Sequence, residues 1–450
     1  MLESREADLF RSMAIIGIIL GLSCISANAQ IDRISVADGG VEANGGSDYP
    51  AVSDDGRIIA FQSNADNLVA GDTNTWTDVF VHDVATGTTE LISLQPNGNE
   101  TPGFSMRPSI SDDGRFVAFE GKSAVSFVSL AAVADRQAGT VEHFLPRTLG
   151  GGAAAPRFAQ SEPGISGSGQ FIALRALDEF FDLWPASIRP PNDDNNSAID
   201  VYVYDRATQP TPPLERSSRD SLGVELDADS RWPSLSDDGR FVVFMSYSDG
   251  LVSDSNEQPD VFLKDRQTGL LELISTADGI GTGNGASFNP EVSADANVIA
   301  FRSDASDLVP GDSNERWDIF VRRRDTATTE RISVASDGTQ ANHHSMEASI
   351  SDDGRFVVFR SMASNLVPGD GNQRDDIFLH DRSTGQTVRV GQPATGESNG
   401  HSFNPVISGD GAWVLFVSYA DNLVPDDSNG ESDIFRTPNP LYSVRVGEGR

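Results

Sequence analysis

A nine-residue phrase, Ser-Asp-Asp-Gly-Arg running into an apolar stretch that ends in Phe, occurs at 53–61, 111–119, 236–244 and 351–359, and weaker copies begin at Ser166, Ser293 and Ser408. The turn positions 56, 114, 169, 239, 296, 354 and 411 are spaced by 58, 55, 70, 57, 58 and 57 residues, which makes seven units. A steady repeat of this size restricts the chain to a propeller or a linear solenoid, because one unit cannot bury its own apolar face.

Each unit reads as β-structure. An Asp-Gly turn supplies the positive φ of a tight hairpin, and an apolar strand such as Phe356-Val357-Val358-Phe359 follows. After a long loop come a second strand such as Asp376-Ile377-Phe378-Leu379, the turn Asp381-Arg382-Ser383-Thr384-Gly385, and a short last strand such as Thr329-Glu330-Arg331-Ile332. Four antiparallel strands in each of seven units predict an all-β fold, a seven-bladed β-propeller of four-stranded blades over residues 30–450. A solenoid needs capping repeats, whereas this chain starts mid-unit: Asp32-Arg33-Ile34-Ser35-Val36 copies the last-strand sequence Glu330-Arg331-Ile332-Ser333-Val334. A ring closed by that segment explains the offset. The tail Tyr442-Ser443-Val444-Arg445-Val446 resembles Thr387-Val388-Arg389-Val390 and competes for the same edge.

Ser-x-Asp-Gly-Arg-x-(Val/Ile)-x-Phe followed by Asp-(Val/Ile)-(Phe/Tyr) resembles the TolB-like propeller repeat, also called the WD40-like repeat, over nearly all of the chain after residue 29. The resemblance implies the fold; it says little about activity. Two departures stand out. The family's Pro before Asp-Gly is Asp54, Asp112, Asp237 and Asp352 here, and the amino-terminal α/β domain of TolB itself has no counterpart.

Arg5 and Arg11, an apolar run over 13–22 and Ala27-Asn28-Ala29 read as a signal peptide spanning 1–29, so export to the periplasm or beyond is expected. The run falls well short of the roughly 18 to 20 residues that span a bilayer, and no second apolar span follows, so no membrane span is expected after cleavage. The single cysteine, Cys24, lies inside that segment, which leaves residues 30–450 without thiolate chemistry or disulfides. With 33 Lys+Arg against 67 Asp+Glu, the net charge of −34 excludes a basic nucleic-acid binder and keeps the chain soluble by self-repulsion. A monomer is expected.

In a four-stranded blade the loop between strands two and three and the link to the next blade lie on one face, and here both are long. That loop carries Asp-x-Asn-x-x-x-Asp in six units: Asp72/Asn74/Asp78, Asp194/Asn196/Asp200, Asp254/Asn256/Asp260, Asp312/Asn314/Asp318, Asp370/Asn372/Asp376 and Asp427/Asn429/Asp433. Oxygens at alternating turn positions suit calcium, and the same residues suit Asx-turns that bond their own backbone. His343, His344 and His401 fall on the same binding face, where three imidazoles suit a transition metal or a base, and where loop histidines are also common in solvated turns. His82 and His380 share a position with Tyr204, Lys264 and Arg322, which reads as a solvent-facing site. The second unit has lost its long loop, and the third carries an apolar insertion over 180–185.

Catalytic signatures are lacking. Gly164-Ile165-Ser166-Gly167-Ser168 misses the final Gly of a nucleophile elbow, and no Gly-rich loop precedes a helix. The expected function is a non-enzymatic scaffold presenting the long-loop face to a protein or glycan, with no catalytic residue assigned. The alternatives are a lyase-type enzyme acting on polysaccharide, as on some TolB-like propellers, and a calcium-stabilised extracellular structural protein.

Overall fold

The computed structural model describes residues 30–95, 97–101, 103–122, 129–144, 162–177, 196–207, 214–248, 256–277 and 281–442. The expected signal peptide, the loop lost from the second unit, the 180–185 insertion, Asp194, Asp254 and the tail from 443 lie outside them. Seven four-stranded antiparallel sheets follow one another along the chain, and each is one repeat unit. The first blade consists of β2 (Ser47–Val52), β3 (Ile58–Ser63), β4 (Asp78–Asp83) and β5 (Thr88–Leu91), hydrogen-bonded in that order. The seven-bladed, all-β propeller is as expected. No helix among the described residues is long and apolar enough to cross a membrane.

The repeated phrase forms the hinge between the first two strands. In the first blade Ser53 Oγ donates to Asp55 Oδ1 at 2.8 Å and accepts from Ile58 N at 3.0 Å, while Gly56 takes φ 72°. Arg57 then grips Asp83 with two bonds of 2.9 and 2.8 Å, tying this turn to the one between strands three and four. The same set recurs at Ser111/Asp113/Arg115/Asp135, Ser236/Asp238/Arg240/Asp265 and Ser351/Asp353/Arg355/Asp381.

Strands two and three are buried on both faces. The Phe that ends the phrase faces the Phe of Asp-(Val/Ile)-Phe across the sheet, with ring centroids 6.0 Å apart for Phe61 and Phe80 and 5.8 Å for Phe359 and Phe378. Each such pair adds about 0.5–1.5 kcal/mol beyond its area burial.

The ring is closed by the amino-terminal segment. β1 (Asp32–Arg33) is the outer strand of the blade formed by β26 (Ser402–Ile407), β27 (Trp413–Ser418) and β28 (Asp433–Pro438). Ile34 is 1% exposed, and Ile34 N donates to Ile434 O at 2.8 Å. Ser35 Oγ donates to Asp433 and accepts from Ile434 N at 3.1 Å, the arrangement that Ser333 makes with Asp318 and Ile319 inside one blade. Ser35→Ala leaves a buried Asp433 oxygen without its donor and is expected to cost about 1–3 kcal/mol, read as a lower denaturation midpoint with unchanged slope.

Candidate functional site

The strands nearest the axis are β2, β6 (Ser105–Ile110), β10 (Gly164–Ile165), β14 (Ser230–Leu235), β18 (Ser287–Val292), β22 (Ser345–Ile350) and β26, and they enclose a channel of about 600 Å3. Six of them carry a bulge where the register slips, as between Asp48 and Ala51. One residue per blade there is left-handed: Tyr49, Arg107, Glu162, Trp232, Asn289, Glu347 and Asn404, with φ from 31° to 53°. All seven line the channel. Each left-handed non-Gly residue costs about 1–3 kcal/mol. Sequence reasoning missed this ring. Its signal is a Pro three residues before the turn Ser, at Pro50, Pro108, Pro163, Pro233, Pro290 and Pro405, acceptable because the inner strand is a sheet edge that needs no N–H on its open side.

Charged channel residues are mostly paired. Arg107 Nη1 lies 3.3 Å from Glu120 and 3.2 Å from Glu162, Arg175 donates to Glu162 at 2.7 Å, and Arg360 lies 3.1 Å from Glu347. At the tight-turn end the blades are joined by backbone bonds that run once round the axis, from Asp54 N to Asp112 O at 3.0 Å through to Asp410 N to Asp54 O at 3.1 Å. The side chains of Asp54, Asp112, Asp237 and Asp352 crowd inside this girdle, and a Cβ on Gly409 would collide with the carboxylates of Asp352 and Asp54. Burial, then repulsion from the other aspartates, pushes Asp112 up to about 6 and Asp352 up to about 7, and raises Asp237 as well.

The Asp-x-Asn-x-x-x-Asp loops adopt Asx-turns. Asn74 Oδ1 accepts from Trp76 N at 2.5 Å and its amide donates to Asp78 Oδ2 at 2.9 Å, and Asn314, Asn372 and Asn429 repeat both contacts. The amides of Asn196 and Asn256 donate to the carbonyls of Leu226 and Gly283, as that of Asn314 does to Ala341. The last Asp accepts from a serine hydroxyl at 2.5 Å in Asp78, Asp200, Asp260 and Asp318. An arginine stands against the carboxylates in four blades. Arg331 lies 3.0 Å from Asp312, Arg389 lies 3.0 Å from Asp370 and 3.2 Å from Asp376, Arg216 lies 3.3 Å from Asp200, and Arg33 lies 2.5 Å from Glu42 and 3.7 Å from Asp427 and Asp433. Glu42, Asp427 and Asp433 form the one trio among the described residues whose ligand atoms lie within 4.8 Å of one another, and Arg33 already sits on it.

The histidines do not converge. His344 Nδ1 accepts from Trp317 N at 3.0 Å and His401 Nδ1 accepts from Asp375 N at 3.1 Å, the task Asp229 performs for Ile199 N at 2.9 Å. His343 packs edge-on against His344 at 5.2 Å, one blade away from His401. His82 and His380, expected to face solvent, are each 6% exposed and bond Thr89 and Thr387; Tyr204, Lys264 and Arg322 are buried likewise. That position accepts many long side chains because each reaches past its strand to a polar group at the blade's outer edge, as Lys264 Nζ does to three carbonyls at 2.7–3.0 Å. The loop face shows aromatic side chains instead: Trp76 and Phe104 meet edge-on at 4.5 Å, and Tyr247 and Tyr419 are 42% and 57% exposed.

Solved structures share this architecture. The chain is similar to the β-propeller domain of the Trilobed protease from Pyrococcus furiosus at TM-score 0.54 and 11% identity, covering 87% of this chain and 93% of that one. It is also similar to an oligogalacturonate lyase in complex with manganese at TM-score 0.53 and 12% identity, covering 93% and 95%. Against TolB from Acinetobacter baumannii the TM-score is 0.42 at 14% identity, covering 86% of this chain and 65% of that one, so the chain spans slightly less than two thirds of TolB. No protein-family model and no curated protein matches the sequence. At such identities the likeness establishes the propeller fold, and function has to be argued from the site.

The aspartate cluster makes stability depend on pH. Asp112 and Asp352 hold protons in the folded state that they lose unfolded, so their contribution is complete below about pH 4 and is lost as pH rises through about 6 to 7. The melting temperature is expected to fall from pH 5.5 to pH 8, and Asp352→Asn to add about 1–2 kcal/mol at pH 8 with a gain that shrinks towards pH 4.

Proposed function

We propose that this chain is a non-enzymatic binding scaffold, exported to the periplasm or beyond, that holds a protein or glycan at the loop-face mouth of its axial channel. One observation carries the reading. The blades repeat one frame, with glycine at six of the seven tight turns and Ala296 at the other, yet the seven strained channel positions hold Tyr49, Arg107, Glu162, Trp232, Asn289, Glu347 and Asn404, and none is glycine. Glycine would relieve the strain at no steric cost, so these side chains are kept for what they touch. Their variety from blade to blade suits recognition of an asymmetric partner by a symmetric frame. His344 and His401 spend Nδ1 on backbone N–H bonds, which leaves neither as a free general base and favours binding over polysaccharide cleavage.

The test uses the relief of strain. Tyr49→Gly with Trp232→Gly is expected to keep or raise the melting temperature while abolishing retention of the partner, screened among immobilised polysaccharides and extracellular protein fractions. Undiminished retention by the double variant overturns the reading.

Calcium stabilisation is favoured in one blade. Where four blades place an arginine, the first has Leu91, so Asp78 and Glu100 act on Asp72 without a guanidinium between them, and Asp72 Oδ1 is buried without a hydrogen-bond partner. Burial, then Asp78 and Glu100, pushes Asp72 up to about 6, with no arginine among the described residues to offset that repulsion. At fixed ionic strength calcium, and not magnesium, is expected to raise the melting temperature by several degrees. Asp72→Asn removes that rise and Asp370→Asn, beside Arg389, leaves it; a rise insensitive to Asp72 refutes the assignment.

A further inference from the structure

Six residues after each turn position, the second strand presents a side chain towards the inner strand at the loop-face end: Gln62, Glu120, Arg175, Met245, Arg302, Arg360 and Val417. Where this residue is charged, its partner is the strained channel residue of the same blade. Arg175 takes Glu162 at 2.7 Å, Arg360 takes Glu347 at 3.1 Å, and Glu120 takes Arg107 at 3.3 Å with the charges exchanged.

The fifth blade, from β18 to β21 (Thr328–Arg331), breaks the rule. Arg302 stands where Arg360 stands in the next blade, but both carboxylates that meet Arg360 are gone. Asn289 replaces Glu347, and Trp317 replaces Asp375, which lies 3.6 Å from Arg360 Nε. Arg302 instead lies over the rings of Phe288 and Trp317, 5.2 Å from each centroid. Its Nε is buried without a hydrogen-bond partner, and no carboxylate of the described residues lies within ion-pair distance; Glu347, paired with Arg360, acts on it only from longer range. In a chain with 67 acidic residues and 33 basic ones, a half-buried arginine at the channel rim without a carboxylate is an unfilled position.

The walls define what fills it. Trp232 meets Phe288 edge-on at 5.9 Å, and Phe288 meets Trp317 at 5.5 Å, so one partly exposed indole lies against the guanidinium and a second lies beyond Phe288. We infer that Arg302 receives a single carboxylate carried by a sugar ring, whose apolar face stacks on Trp232 or Trp317 while Asn289 is free to hydrogen-bond a hydroxyl. A polyanion is disfavoured by the net charge of −34 and by the aspartates at the far end of the channel, so the ligand is a mostly neutral glycan bearing an isolated uronic acid. The inference rests on the scaffold reading above and narrows its partner to one class.

Saturation-transfer NMR on the full protein at fixed ionic strength, with sodium glucuronate and glucose as probes, tests it. Glucuronate is expected to bind and glucose to bind about tenfold or more weakly. Arg302→Gln removes the preference. Asn289→Glu rebuilds the internal pair of the third and sixth blades, tolerates the left-handed backbone as Glu162 and Glu347 do, and is expected to abolish glucuronate binding without lowering the melting temperature. Equal binding of the two sugars, or glucuronate binding unchanged in either variant, overturns the proposal. Arg302-dependent binding of a peptide's terminal carboxylate in place of glucuronate overturns the sugar assignment while leaving the scaffold reading intact. Failure of that reading shows separately, in Tyr49→Gly with Trp232→Gly.

Discussion

Backbone hydrogen bonds between neighbouring tight turns join the blades around the axis, and the rest of the molecule is arranged by that girdle. Each turn hands its carbonyl or N–H to the next, from Asp54 round to Asp410 and back. A ring so tied leaves each inner strand as an exposed edge facing the axis. Six prolines, starting with Pro50, blunt those edges by removing a donor, and the bulges beside them aim one side chain per blade at the channel. Strain, channel lining and candidate site are thus consequences of closing the sheets into a circle.

The charge balance follows the same geometry. With Asp+Glu outnumbering Lys+Arg two to one, arginines are placed where carboxylates are least hydrated. At the tight turns they grip the aspartate of the next turn, but Arg57 is 48% exposed, so such pairs fix geometry more than they add stability. In the loops Arg331 and Arg389 do the work a bound cation does elsewhere. At the turn end of the channel, burial and the neighbouring aspartates raise the carboxyls of Asp112, Asp237 and Asp352.

The strands, their pairing and the closure by residues 32–36 were readable because they rest on local patterns that recur in most blades: a turn residue with positive φ, glycine in all but the fifth blade, a Phe pair across the sheet, a Ser-Asp bond. The bonding partners of the loop histidines lie far along the chain, in the loops before the third strands, which no spacing pattern reports. Variety at one repeat position misled in both directions. At His82 it was read as exposure, although a buried polar contact accepts several long side chains. At Tyr49 and its counterparts it hid the channel ring, because the constant feature there is a backbone angle and a following Pro, not a residue type.

The two ends of the channel differ in a way that bears on what enters. At the loop-face rim lie aromatic rings and Arg302, which has no ion-pair partner among the described residues; at the turn end lie four aspartates within a closed girdle. A low-dielectric wall between them strengthens both fields, so an anionic group is drawn to the rim and repelled from the floor. A ligand with one negative end is therefore held at the mouth in one orientation and does not thread through. Since the frame is nearly seven-fold and the rim is not, that orientation is set by single-residue differences between blades, Asn289 against Glu347 and Trp317 against Asp375 above all.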